Sequence, residues 1–267
     1  MTDLPGWVPE GVDVTVPNAA RIYDYALGGV HNFAVDREFW HQTEKLMPDA
    51  GLVGQANRAF LGRAVRHLAG LGVRQFLDIG SGIPTLGNVH EAAGEVDPGA
   101  RVMYVDIDPI AVQQSRAILG DHPRASVIRG DLRHPDEILN HPEVQRLLDF
   151  SEPVAVLTVA VLHFIPDADD PAGIVRRIGE SLVSGSYLVL SHFAPDEQQR
   201  AAQEDAARMY EQTPTPVLMR DRAQIAALLD PFVPVEPGVV IASDWHPDPD
   251  ADDLPQPSAL VAVARKS

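Results

Sequence analysis

The sequence has no cysteine, which excludes disulfides, thiolate metal sites and a cysteine nucleophile. It is also poor in positive charge. Its 21 Lys and Arg stand against 38 Asp and Glu, for a formal net charge of −17. A surface of that sign repels a phosphate backbone at long range, so DNA and RNA are not expected as partners. Long apolar runs are absent as well. The longest, residues 154–165, falls short of the about 20 residues that span a bilayer, so no membrane partner is expected. Residues 1–11 carry Asp3, Pro5, Pro9 and Glu10 and no apolar signal-peptide core, so a cytoplasmic protein is expected. No internal repeat is found.

What remains suffices for a substantial core: 45% of the 267 residues are hydrophobic. Asn18 is placed to cap a helix over 19–27, stopped by Gly28 and Gly29. A second helix is predicted from Asp36. A third, over 55–71, repeats Phe60, Leu61, Ala64, Val65 and Leu68 at helical spacing before Gly72. Strands at 74–79, 101–105, 126–129, 154–162 and 186–192 then alternate with helices at 86–96, 109–119, 136–149 (interrupted by Pro142) and 172–182. Such alternation predicts βαβ units and a mainly parallel, buried sheet. Helices at 196–212 and 220–229 follow, then short strands at 232–235 and 239–241 and a last strand at 258–264, with 244–257 as a loop. The expected fold is α/β and Rossmann-like, with seven strands and a terminal antiparallel hairpin.

The end of the first strand reads Asp78-Ile79-Gly80-Ser81-Gly82. Two glycines there allow a tight turn and close approach to a ligand, at the sheet edge where open parallel sheets bind ligands. A dinucleotide fingerprint would need a third glycine at Thr85, and Asp78 would face a pyrophosphate unfavourably. S-adenosylmethionine has no phosphate, and its cationic amino-acid end suits Asp78. Asp106 closes the second strand 24 residues after Gly82 (106 − 82), a distance suited to the ribose hydroxyls. Asp131 closes the third and could accept from the adenine amino group. A helix cap is the plainer role for Asp108 or Asp131.

Several segments then carry a family resemblance. They are residues 17–29 (Pro-Asn-Ala-Ala-Arg-Ile-Tyr-Asp-Tyr-Ala-Leu-Gly-Gly) with Asn32-Phe33 and Asp36-Arg37, and Asn57-Arg58-Ala59-Phe60-Leu61. The Asp78 loop, Val105-Asp106-Ile107-Asp108-Pro109, Asp131-Leu132-Arg133 and Glu236-Pro237-Gly238-Val239-Val240 complete the set. Over nearly its whole length the chain resembles class I S-adenosylmethionine-dependent methyltransferases. Within them it is similar to the actinobacterial S-adenosyl methyltransferase family, formerly a domain of unknown function. It departs from the broader class at Pro84 and Thr85.

The resemblance implies the class I methyltransferase fold and S-adenosyl-L-methionine as cofactor, but names no acceptor. It also implies one domain over 1–267, with an arm and helical lid at 1–55 and a core at 56–267. The cofactor-facing set is then Gly80, Ser81, Gly82, Asp106, Ile107, Asp108, Gly130, Asp131, Leu132 and Ala160 of the core, with Asp78 and Arg58. From the lid come Arg21, Gly28, Gly29 and Asn32. Arg21 or Arg58 could pair the cofactor carboxylate. Without the resemblance, residues 19–27 read equally as a helix packing its aromatics on the core.

The acceptor is expected near the end of the fourth strand, where His163 is the foremost base or contact and Tyr23 could reach in from the lid. His192 and His31 are further choices. A strand-end histidine bonded to a backbone carbonyl is the plainer role for His163. Asp248, Asp250 and Asp252 have calcium-loop spacing, but Asp253 and Ala259 occupy the turn-glycine and final-glutamate positions, so a solvated acidic loop is expected. No metal motif and no nucleophile elbow is present. A methyltransferase acting on a small molecule is the expected function. The alternative is a non-catalytic protein sensing S-adenosylmethionine or S-adenosylhomocysteine.

Overall fold

In the computed structural model, which describes residues 6–9, 11–84, 87–211, 213–247 and 259–267, the sheet starts from β1, Gln75–Ile79, buried at every position. The other strands are β2 (Arg101–Asp106), β3 (Ala125–Arg129), β4 (Ala155–Val159), β5 (Tyr187–Phe193), β6 (Val233–Pro234), β7 (Val240–Ile241) and β8 (Ala259–Arg265). Their order is β3-β2-β1-β4-β5-β8-β6, with β7 also on β8. Strands β1 to β5 pair in parallel, while β8 runs antiparallel to β5, β6 and β7.

The chain builds outward from β1 through β2 to β3, then returns to lay β4 on the other side of β1. That reversal opens a crevice at the carboxyl ends of β1 and β4, where open α/β sheets bind ligands. Successive residues of each strand face opposite cores. Leu77, Ile79, Met103, Val105 and Val156 belong to one. Phe76, Val102, Tyr104, Ala155 and Leu157 belong to the other. Covering both faces of a parallel sheet demands this near-continuous apolar character.

The helices are α1 (Ala19–Ala26), α2 (Ala34–Leu46), α3 (Ala50–Gly70), α4 (Val89–Val96), α5 (Pro109–Leu119), α6 (Pro135–Leu139), α7 (Pro142–Leu147), α8 (Pro171–Glu180), α9 (Arg200–Tyr210) and α10 (Arg222–Ala227). Helix α3 buries Phe60, Ala64, Val65 and Leu68 completely against the second core.

Several expected boundaries move. Helix α2 starts at Ala34, because Asp36 sits in its first turn and accepts the Phe33 amide. Helix α3 starts at Ala50, so the expected division at 55/56 falls inside one continuous helix. Helix α4 starts at Val89, where Asn88 and Glu91 form a capping box. The interrupted helix at 136–149 is two helices, each opened by a proline at its first turn. Strand β4 ends at Val159 rather than 162. Ala160 takes a left-handed φ of 57°, and Leu162–Phe164 form a 3₁₀ turn.

The segments at 232–241 do not pair with one another. Pro234 and Pro237 limit them to two residues each, and both pair with β8, making eight strands. The loop expected from residue 244 opens with a 3₁₀ turn and the fully buried Trp245. The Trp245 and Ala242 carbonyls accept from Arg63 at 3.0 and 2.6 Å. Thr85 and the acidic Asp248–Asp252 run lie outside the described residues. Among the described residues, no helix is long and apolar enough to cross a membrane.

Candidate active site

The loop after β1 is shaped by its glycines. Gly80 has φ +73°, and a Cβ there would stand 2.5 Å from Cγ2 of Val161, two residues past the end of β4. The crossing of the two chain ends therefore requires a bare backbone. Gly80 and Ser81 donate their amides to the Val105 carbonyl at 2.8 and 3.2 Å. Gly82 donates to Oδ2 of Asp106 at 2.7 Å, and Asp108 donates to its Oδ1 at 2.8 Å.

Asp108 itself caps α5, accepting from Ile110 and Ala111, so the plainer reading of that residue holds. Both oxygens of Asp131 are taken by the Arg133 guanidinium, at 2.6 to 3.0 Å. The side chain expected to meet adenine is thus engaged within its own turn.

A cavity of about 510 Å³ opens over these strand ends, within the range of small-molecule sites. Arg58, Asp78, Gly80, Ser81, Gly82, Asp106, Ile107, Asp108, Gly130, Asp131, Leu132 and Ala160 all line it, so the structure brings the core part of the expected set together. Burial pushes the Asp78 carboxyl up to about 7, against the pull of Arg58 and with a push from Asp106. Burial likewise raises Asp106 to about 6, although backbone amides of Asp108 and Gly82 oppose it.

The N-terminal block divides by helix face. Ala19, Ile22, Tyr23 and Ala26 of α1 line the cavity, with Asn18 at its cap. Arg21, Gly28, Gly29 and Asn32 do not. Arg21 is buried on the opposite side, 3.4 Å from the Asp36 carboxylate, with its guanidinium on the Asp13 and Val16 carbonyls and over the Phe33 ring. It braces the lid instead of meeting a carboxylate in the cavity. The Asp24 carboxylate accepts from the His31 amide and the Asn32 side chain at 2.9 Å each. It also lies so near Gly29 that any Cβ there would overlap it. Gly28 ends the helix at φ +81°. These residues fold the lid back on itself.

Tyr23 is not free to act as a base. Its hydroxyl donates to the Gly54 carbonyl and accepts from Asn57 at 3.1 Å each, and burial raises its pKa. Asn57 accepts from the Ser191 hydroxyl at 2.6 Å, and Ser191 accepts the Ala160 amide at 2.8 Å. This relay joins the lid to the ends of β4 and β5. Sequence reasoning missed Asn57 and Ser191 as site residues. Asn57 carried a signal, a polar residue on the apolar Phe60–Leu61 face of its helix; Ser191 carried none.

His163 lines the cavity, 7% exposed, and neither ring nitrogen has a hydrogen-bond partner among the described residues. The backbone-bonded role is instead that of His192, whose Nδ1 donates to the Phe193 carbonyl at 2.7 Å. That fixes the tautomer, and its Nε2 accepts from Arg220 at 3.0 Å. Burial holds His192 down to about 4, and burial with the nearby His192 and Arg220 holds His163 well below 6.5. Both imidazoles are neutral at pH 7. Arg220, also unforeseen, donates further to the Leu162 and Ile165 carbonyls and to Asp167, pinning the turn that presents His163. His31 does not line the cavity. Among the described residues no group of three or more His, Asp or Glu is placed to hold a metal ion.

Residues 5–267 match the family model described as S-adenosyl methyltransferase. The chain belongs to that family. Its likeness to a candidate methyltransferase of Thermobifida fusca is 38% in identity, covering 98% of this chain and 99% of that one, at a TM-score of 0.91. A DUF574-family protein of Streptomyces avermitilis is 40% identical, over 96% and 99%, at 0.91. Human N-acetylserotonin methyltransferase, solved with S-adenosylmethionine, is 16% identical, over 91% and 62%, at 0.51, a likeness of fold. No curated protein matches the chain.

The family's cofactor is S-adenosyl-L-methionine, and the cavity suits it. Of the buried side-chain atoms without a partner, Arg58 Nε and Ser81 Oγ belong to residues that line it beside the glycine loop. Ile107, a large apolar side chain left 45% exposed, lies at the same strand ends. Polar groups lacking partners and an uncovered apolar side chain are what a bound adenosine and amino acid would satisfy.

Proposed function

We propose that this family member catalyses methyl transfer from S-adenosylmethionine to a small molecule bound in the same cavity. The observation that carries this reading is the continuity of the cavity. Acidic strand ends and the glycine loop form one side of it, and helices α1, α2 and α9 with His163 form the other.

When bound, S-adenosylmethionine supplies an electrophilic methyl group on a sulfonium. The ribose hydroxyls fall to Asp106, which keeps acceptor capacity beyond its two backbone amides. Ile107 and Leu132 flank the adenine. Arg58 meets the carboxylate and Asp78 the ammonium. His163, neutral and without a partner, orients the acceptor; orientation is much of what such a displacement needs.

Calorimetry tests the cofactor half of this reading. S-adenosylhomocysteine is expected to bind and NAD not to. Absence of heat with S-adenosylhomocysteine would sink it. Incubation with methyl-labelled cofactor and a metabolite extract tests the rest. Label is expected in a small molecule, and tight cofactor binding with no transfer would favour a sensor.

A further inference from the structure

Resting on that reading, we infer that the acceptor is an uncharged, flat, largely apolar molecule of the phenol class, seated on an aromatic wall with its hydroxyl at the imidazole of His163.

The charges of the cavity are segregated. Arg58, Asp78, Asp106, Asp108, Asp131 and Arg133 stand on α3 and at the ends of β1, β2 and β3. The opposite half is lined by Trp40, Met47, Phe164, Phe193, Tyr210 and Met219, with no charged side chain among the described residues. An acceptor bearing a carboxylate or an ammonium would lose its hydration there and gain no counter-charge. A sugar or other polyol would leave most of its hydroxyls unpaired. A planar apolar ring loses nothing and covers apolar surface.

The wall also has form. Phe164 and Tyr210 lie 6.5 Å apart between centroids, and Phe39 braces Tyr210 edge-on at 4.8 Å. Phe164 adjoins His163 at 4.3 Å, and Phe193 completes the corner at 6.2 Å from the imidazole. Aromatic side chains so disposed favour another ring.

His163 and Thr215 are the lining residues away from the acidic strand ends with a partnerless buried polar atom, and of the two His163 stands against the aromatic wall. His192, its neighbour at 5.6 Å, cannot substitute, because both its nitrogens are occupied. A hydroxyl both donates and accepts, so it suits His163 in either tautomer. Burial beside Arg220 and His192 keeps the ring uncharged, which preserves the neutrality of the pocket.

Calorimetry on the protein saturated with S-adenosylhomocysteine decides the matter, with 1-naphthol, 1-naphthoate and 1-methylnaphthalene as probes. Expected is binding of 1-naphthol at least tenfold tighter than 1-naphthoate and severalfold tighter than 1-methylnaphthalene. In His163→Phe the preference over 1-methylnaphthalene is lost, while S-adenosylhomocysteine binds within about twofold of its original affinity. Ala207→Phe, which fills the helix side of the cavity, removes 1-naphthol binding and spares S-adenosylhomocysteine. Met219→Lys is the second variant, placing a cation in the apolar half and turning the preference toward 1-naphthoate. Failure of 1-naphthol to bind, or equal binding of 1-naphthoate, while S-adenosylhomocysteine binds normally, overturns the acceptor class alone. Absence of S-adenosylhomocysteine binding overturns the reading beneath it and this inference together.

Discussion

Gly82 donates its amide to Oδ2 of Asp106 at 2.7 Å, across 24 residues of sequence. The bond fastens the loop after β1 to the end of β2, and the same carboxylate holds the Asp108 amide. Asp106→Ala should leave both amides without their acceptor, for about 1–3 kcal/mol of stability. It should also weaken S-adenosylhomocysteine at least tenfold. Asp106→Asn, which keeps one acceptor oxygen, should lie between. Denaturant unfolding and calorimetry read the two effects separately.

The pH dependence of cofactor binding follows from Asp78. Its folded pKa, about 7, lies above the ordinary 3.8. Between those values the folded protein holds a proton that the unfolded chain has lost, so this group's contribution to stability falls as pH rises to about 7. A cationic ligand favours the ionised carboxylate. Affinity for S-adenosylmethionine should therefore rise from pH 5.5 to about 7 and level off. Binding below pH 7 should release a proton, seen by calorimetry in buffers of different ionisation enthalpy. Asp78→Asn should bind more weakly, with a flatter profile.

Gly80→Ala combines a left-handed φ with a Cβ 2.5 Å from Val161. A loss of about 2–3 kcal/mol is expected, of which roughly 1 kcal/mol is the backbone conformation. Adding Val161→Ala should recover only part of the steric loss, because the Cβ of residue 161 itself stands 2.8 Å away, and should leave the conformational part. Unfolding midpoints of the single and double variants measure this.

Arg220→Met should leave the Leu162 and Ile165 carbonyls and Nε2 of His192 without their donor. About 2–4 kcal/mol of stability is expected to go. The pKa of His192 should rise toward its ordinary value once the neighbouring cation is gone, a change that imidazole NMR titration follows.

The parallel core and the strand-end acids were legible because both are local. An apolar strand, a glycine turn and an acid recur in order along the sequence, and the sheet brings the three strand ends together. What the sequence could not show was which partner each polar group takes. Arg21 and Arg58 look alike in sequence, yet one turns to Asp36 and the other to the cavity, because they sit on differently facing helix surfaces. Asp131 is engaged by Arg133 two residues on, while Asp106 is held by amides from elsewhere. Ser191 and Arg220 act through contacts 134 and 58 residues distant. Both short segments before the last strand were legible, but two-residue pairings leave no periodicity to show that each pairs with β8 and not with the other.

Tyr23, Asn57, Ser191 and Ala160 form one chain of hydrogen bonds. Its members are scattered over more than half of the polypeptide, which sets a timetable for biosynthesis. As the chain leaves the ribosome, the first helix and α3 are present early, but the hydroxyl that completes the relay arrives only with β5. The lid helix, made before any strand of the sheet, thus waits for β5 before the cavity it covers can be finished.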